Sequence, residues 1–129
     1  MIVQENFLKK LRSAFDLNIY EVKIWTALLS RGMATAGELS DISNVPRSRS
    51  YDVLESLEKK GFAIMKVGKP IKYIAVQPEE VVKRVKKTVK NGADEKIKHL
   101  NSVKEDPLFT DIELLFKQGI TRIDPATIT

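Results

Sequence analysis

The sequence predicts a mainly α-helical protein with one small β-hairpin: a winged helix-turn-helix carrying extra helices at both ends. Three observations predict it. Two capping-box spacings, Asn18 to Glu21 and Thr35 to Glu38, each open a helix that bears an apolar stripe. A short helix, a tight turn around Asn44 and a proline-initiated helix then follow one another. Finally, two alternating apolar runs flank a Gly-Lys-Pro turn.

Each element has its own local reason. From Gln4 to Phe15, Phe7, Leu8, Leu11 and Phe15 recur at helical spacing, and Asp16-Leu17-Asn18 breaks the run. Asn18 caps the next helix, whose stripe is Val22, Trp25, Leu28 and Leu29 and which closes at Arg31-Gly32. Thr35 caps a short helix with Leu39 and Ile42 inward, and Ser43-Asn44 ends it. Pro46 suits the first position of a helix that runs to Lys60 and buries Val53, Leu54 and Leu57. Gly61 stops it. Strands are expected over 62–67 and 71–76, with Gly68 at the first position of a type II′ turn. Pro78 to Lys104 reads as one long basic helix with a weak point at Asn91-Gly92, bearing Val82, Val85, Val89, Ile97, Leu100 and Val103. Pro107 opens a last short helix with Ile112, Leu115 and Phe116, and the final GITRIDPATIT offers no closing element. The expected organisation is 1–77 as the winged helix-turn-helix domain, 78–105 as a helical dimerisation arm, and 106–129 as a short helix with a linker-like tail.

Composition narrows the function. The chain has 129 residues, 22 Lys+Arg, 17 Asp+Glu and a formal net charge of +5. The excess lies in 1–77 (12 basic, 8 acidic) and 78–105 (8 and 5), whereas 106–129 holds 2 and 4. A modest basic surplus is compatible with an acidic partner without proving one. With no cysteine and a single histidine, His99, thiolate chemistry and a histidine-rich metal centre are excluded. The longest charge-free stretch, Ile24 to Ser30, is too short for a membrane span, and the N-terminus lacks the apolar core of a secretory signal. A cytoplasmic protein is expected, with no membrane partner.

Enzyme chemistry finds no foothold. The glycines stand at 32, 37, 61, 68, 92 and 119, so no GxGxxG exists. Gly32 and Gly37 have phosphate-loop spacing, but Glu38-Leu39 occupies the place of the required Lys and Ser/Thr. Glu79 and Glu80 sit at a helix start and favour its dipole. His99 lies on a lysine-rich helical face, where a solvated side chain is the ordinary reading. No nucleophile, base and orienting group assemble, and no cofactor or metal is expected.

Nucleic acid is the better match. On a helical wheel, Ser50, Leu57 and Gly61 cluster with Leu54 on the inner side, which leaves Arg47, Ser48, Arg49 and Asp52 outward, Tyr51 at the margin and Pro46 at the start. Arginine offers two donors to guanine, and serine serves base or phosphate. Asp52 either accepts from cytosine or holds Arg47 or Arg49. Lys69 at the hairpin tip and Lys72 beside it suit phosphates, and Thr35 adds a helix N-terminus to its capping role. Each feature also has a plain alternative: a solvated helix start, or lysines that guard an exposed strand edge.

These residues carry a family resemblance. The runs Leu17-Asn18-Ile19-Tyr20-Glu21, Ala27-Leu28-Leu29, Ala34 to Ser40, Val45 to Phe62, the wing Gly68 to Tyr73 and Val76-Gln77-Pro78 resemble the TrmB family of archaeal transcription regulators. The match covers about residues 15–80. It implies a winged helix-turn-helix that binds promoter DNA, usually as a homodimer, through recognition helix 46–60 and wing 62–76. Many members respond to sugars, while others coat DNA or act more globally. Two departures stand out. Ser50 replaces a residue that is often apolar, which weakens the helix core or frees that position for contact. Sugar-binding members also carry a large C-terminal effector domain, whereas this chain ends at Thr129. Residues 116–125 resemble a linker into such a domain, as in an N-terminal fragment or a shortened member, so no effector site carries over. Helices 4–15 and 79–104 are the expected dimerisation surfaces. Two alternatives remain open: a sequence-independent chromatin-type protein and a winged-helix protein-interaction module of the transcription machinery.

Overall fold

In the computed structural model, residues 4–127 are described; positions 1–3 and 128–129, which the expected first and last segments include, lie outside them. The elements run α1 (Glu5–Phe15), α2 (Ile19–Arg31), β1 (Met33–Thr35), α3 (Ala36–Ser43), α4 (Arg47–Lys59), β2 (Ala63–Lys66), β3 (Lys72–Ala75), α5 (Pro78–Glu105) and α6 (Phe109–Ile120), then a 3₁₀ turn at Pro125–Thr127. They divide between two compact units, Met1–Lys87 and Thr88–Thr129.

In the first unit both capping boxes form as their spacing predicts. The Asn18 side chain accepts from the Glu21 N–H at 2.8 Å, and Glu21 accepts from the Asn18 N–H at 2.9 Å. Thr35 and Glu38 exchange the equivalent pair at 3.2 and 3.1 Å. Asp16 and Asn44 end their helices in the left-handed conformation. Around the fully buried Ile24, Leu28, Leu39, Leu54, Leu57 and Phe62, α2, α3 and α4 share one core with the sheet. Phe15, Trp25 and Phe62 meet edge to face, with centroids 4.9 to 5.9 Å apart, and so fix α1 to that core. The first turns of α5 join it through buried Val81 and half-buried Val85.

Five local expectations are corrected. The sheet has three strands in the order β1-β3-β2, because Met33–Thr35 pairs antiparallel with β3, a strand the sequence did not announce. The hairpin has no two-residue turn: Lys66 faces Lys72, so residues 67–71 form the loop, and Gly68 lacks the positive φ that a type II′ turn needs. Pro46 is the N-cap of α4 rather than its first residue, and α6 begins at Phe109 rather than Pro107. Residues 116–120, read as linker, are helical, and a short 3₁₀ turn follows them.

Gly61 closes α4 at φ +84°, a conformation that disfavours any side chain. Arg84 of α5 reaches across and donates from Nη1 to the Gly61 carbonyl at 2.6 Å. This bond satisfies a carbonyl just beyond the end of α4.

The second unit contains the later turns of α5, where the helix passes through Asn91-Gly92 without interruption, and α6. Asp106 accepts from the Leu108 N–H at 2.8 Å in the turn between them. No described residue of this unit is buried. Val89, Ile97, Leu100, Val103, Ile112, Leu115 and Phe116 are all exposed.

Candidate nucleic-acid interface

Helix α4 has three sides. Val53, Leu54, Leu57 and Ser50 face the core. Ser50 is fully buried and its hydroxyl donates to the Pro46 carbonyl at 3.2 Å, so it is not free for contact. A second side meets α2. There Ser56 donates to Glu21 Oε2 at 2.7 Å, Lys60 donates to the same oxygen at 3.0 Å, and Arg49 lies over the Tyr20 ring with Cζ 5.1 Å from its centroid. Burial pushes the Glu21 carboxyl up, but the Ser56 hydroxyl, the Asn18 N–H and the Lys60 ammonium outweigh it and hold Glu21 below its ordinary value.

The third side faces α3 and the wing. Thr35, Ala36, Gly37, Arg47, Tyr51, Pro70, Ile71 and Tyr73 line a cleft of about 270 Å³. Arg47 folds its guanidinium against Gly37, where a Cβ would stand 3.0 Å from Nη2. The Thr35 hydroxyl donates to Glu38 Oε1 at 3.0 Å and accepts from the Glu38 N–H, so it is committed to the cap. What α3 offers a ligand is therefore its first N–H groups beside Arg47, rather than that hydroxyl. Burial raises the Tyr73 hydroxyl above its usual range, helped by Glu58, Tyr51 and Glu55.

Between these two flanks runs the outward ridge of Ser48, Asp52 and Glu55, all exposed. Among the described residues Asp52 pairs with neither Arg47 nor Arg49, so it does not hold them in place. Glu55 pairs with Lys59 at 3.0 Å.

The wing supplies cations. Lys66, Lys69 and Lys72 line a depression of about 200 Å³ with Val67, Gly68 and Pro70. Lys66 and Lys72 stand directly opposite across the ladder, an arrangement that is unfavourable unless an anion lies nearby. Lys72 is half-buried and lies in the field of Glu38. The Thr35 N–H and hydroxyl, assisted by Arg31 and Lys72, hold that carboxyl below its ordinary value.

The structure thus gathers Thr35, Arg47 and Tyr51 at one cleft and Lys69 and Lys72 at another. Pro46, Ser48 and Asp52 lie at the exposed start of α4, and Arg49 is on the flank against α2. Three neighbours of these side chains, Tyr20, Gly37 and Lys66, are not among the candidates the sequence offers. Strand alternation could have found Lys66; nothing local marks the other two.

A short helix and a second helix joined by a tight turn, completed by a three-stranded antiparallel sheet, define a winged helix-turn-helix. Solved structures agree on that fold. Oxidized MarR from E. coli superposes with a TM-score of 0.50 at 18% identity, covering 88% of this chain and 84% of that one. The structure of TrmBL2, described as an archaeal chromatin protein with a novel mode of DNA binding, superposes at 0.76 with 35% identity, covering 88% and 45%. Residues 11–79 match the model of the family described as the sugar-specific transcriptional regulator TrmB, and the chain belongs to that family, as its motifs led one to expect. It is 38% identical over 105 residues to the DNA-binding HTH-type transcriptional repressor TrmBL2 of Thermococcus kodakarensis, covering 81% of this chain and 40% of the relative. With the sugar-sensing regulator TrmBL1 of Pyrococcus furiosus it shares 36% over 85 residues, covering 66% and 25%. The chain therefore spans about two-fifths or less of the length of these curated relatives. No helix among the described residues is long and apolar enough to cross a membrane.

Proposed function

We propose that this chain binds duplex DNA and regulates transcription, with α4 entering the major groove and the 67–71 loop reaching the neighbouring backbone. The observation that carries this reading is the arrangement at the start of α4. An exposed polar ridge, Ser48 and Asp52, is bracketed by Arg47 and Arg49, and the cleft beside Arg47 shares Pro70 with the depression lined by three wing lysines. The ridge offers acceptors and a hydroxyl to base edges, and the lysines and the N-terminus of α3 suit phosphates. Tyr51 and Pro46 shape the helix end next to the groove. A homodimer is part of the proposal, supported by the apolar residues left exposed on α5 and α6. Nucleoid association follows from the same reading, and no catalytic role is assigned.

A second reading, DNA coating without sequence choice, draws on one observation. The outermost ridge of α4 carries no arginine, the side chain that most often discriminates bases. A related structure is described as a chromatin protein, which lends this reading support.

Fluorescence anisotropy separates the two. The protein is titrated with the duplex upstream of its own gene and with a random duplex of equal length, across a range of salt. A preference that survives near-physiological salt supports a specific regulator, and equal binding that fades steeply supports coating. Failure on these duplexes and on selected DNA pools refutes DNA binding and favours a protein-interaction module.

A further inference from the structure

We propose that Tyr20 and Gly37 are positioning residues that seat Arg49 and Arg47 as a pair of phosphate donors, one on each wall of the groove. Base reading is then left to the ridge between them. The inference rests on the DNA-binding reading above and assigns roles within it.

At 100° per residue, positions 47 and 49 lie about 160° apart around α4, on opposite flanks. Their surroundings agree: Arg47 lies against α3 in the wing cleft, whereas Arg49 lies against α2. A helix with its side chains is about 10–12 Å across and the major groove about 12 Å wide, so the flanks of an inserted helix lie nearest the phosphate walls. Asp52 and Glu55 occupy the line between. Carboxylates there repel phosphate and suit the amino groups that cytosine and adenine present at the groove floor.

The place of each arginine depends on a residue outside its own helix. Tyr20 is half-buried, packs against the core and offers a fixed ring face 5.1 Å from the Arg49 guanidinium. Stacking occupies one face of the guanidinium and leaves its N–H edges free to donate. On the other flank the guanidinium of Arg47 fills the space a side chain would need at position 37, with Nη2 and Cζ 3.0 and 3.3 Å from where a Cβ would stand. Tyr20 thus limits the rotamers of Arg49 before any ligand arrives, which lowers the ordering cost of binding, and Gly37 leaves open the room in which Arg47 lies.

The test uses the two duplexes above, with anisotropy read across salt for each variant. Arg47→Ala and Arg49→Ala are each expected to weaken both duplexes by the same factor and to reduce the salt slope by about 1. Tyr20→Leu is expected to weaken binding about two- to tenfold in the parent and not at all in an Arg49→Ala background, and Tyr20→Phe restores it. Gly37→Leu behaves towards Arg47 as Tyr20→Leu does towards Arg49. Thermal melts confirm that each variant is folded. An Arg49→Ala variant that changes the preference between duplexes overturns the phosphate role. A Tyr20→Leu loss that persists without Arg49, or no loss at all while the parent binds, overturns the positioning role alone. If the parent binds neither these duplexes nor selected DNA pools, the underlying reading fails and this inference with it.

Discussion

Glu21 ties the start of α2 to the end of α4, and replacing it with glutamine isolates the value of its charge. The carboxylate accepts from the Asn18 N–H, the Ser56 hydroxyl and the Lys60 ammonium, with its side chain only 4% exposed. Glutamine keeps the shape but has one acceptor oxygen, so at least one donor meets an NH₂ group. Hydrogen bonds to a charged acceptor contribute about 1.5–3 kcal/mol. The Lys60 side chain is 38% exposed, so its share is screened to that of a surface pair, below about 1 kcal/mol. With the Ser56 bond retained, Glu21→Gln should cost about 2 kcal/mol and lower the urea midpoint by roughly 1 M. The pH dependence has a fixed sign. A carboxyl held below its ordinary value of 4.5 stabilises the fold above that pH, and the contribution is lost as pH falls through the folded value. Parent and variant should therefore differ by a constant amount near neutrality and converge in acid. A difference under about 0.5 kcal/mol at neutral pH, or one that does not shrink in acid, refutes the reasoning.

Two further outcomes follow from the geometry. Gly61→Ala should destabilise by about 2 kcal/mol in a thermal melt, because a left-handed φ disfavours a side chain and the new Cβ would stand 2.9 Å from Arg84 Cδ. The penalty should shrink in an Arg84→Ala background, where only the backbone contribution remains. On the wing, Lys66→Gln and Lys69→Gln should each lower the salt slope of DNA binding by about 1, and Lys72→Gln by less, since Glu38 already offsets part of its charge. Equal slopes for all three variants would contradict that electrostatic picture.

What was legible in the sequence was what local chemistry decides. Both capping boxes, the left-handed stop at Asn44, the break at Gly61 and the inward stripe of α4 depend on residues within one or two turns, and the sequence displays them directly. Strand β1 does not, since three residues acquire their conformation from pairing with a strand nearly forty positions later. The turn chemistry misled for a related reason. Gly68-Lys69 has the composition of a two-residue turn, yet the pairing of Lys66 with Lys72 leaves five residues to connect. Among the candidate contacts, the outward face of α4 was recoverable from helical periodicity. That Arg49 lies over Tyr20 and Arg47 against Gly37 depends on how α2 and α3 pack on α4, a matter of tertiary geometry that no spacing encodes.

Thr35 belongs at once to β1, where it faces Lys72, and to the start of α3, which it caps. The strand behind the wing is thus fastened by backbone pairing to the first residue of the helix-turn-helix, with no hinge between them. The parts proposed to face DNA, α4 and the 67–71 loop, therefore hang from one frame like the jaws of a caliper, joined through β1 and through α3, which packs against α4.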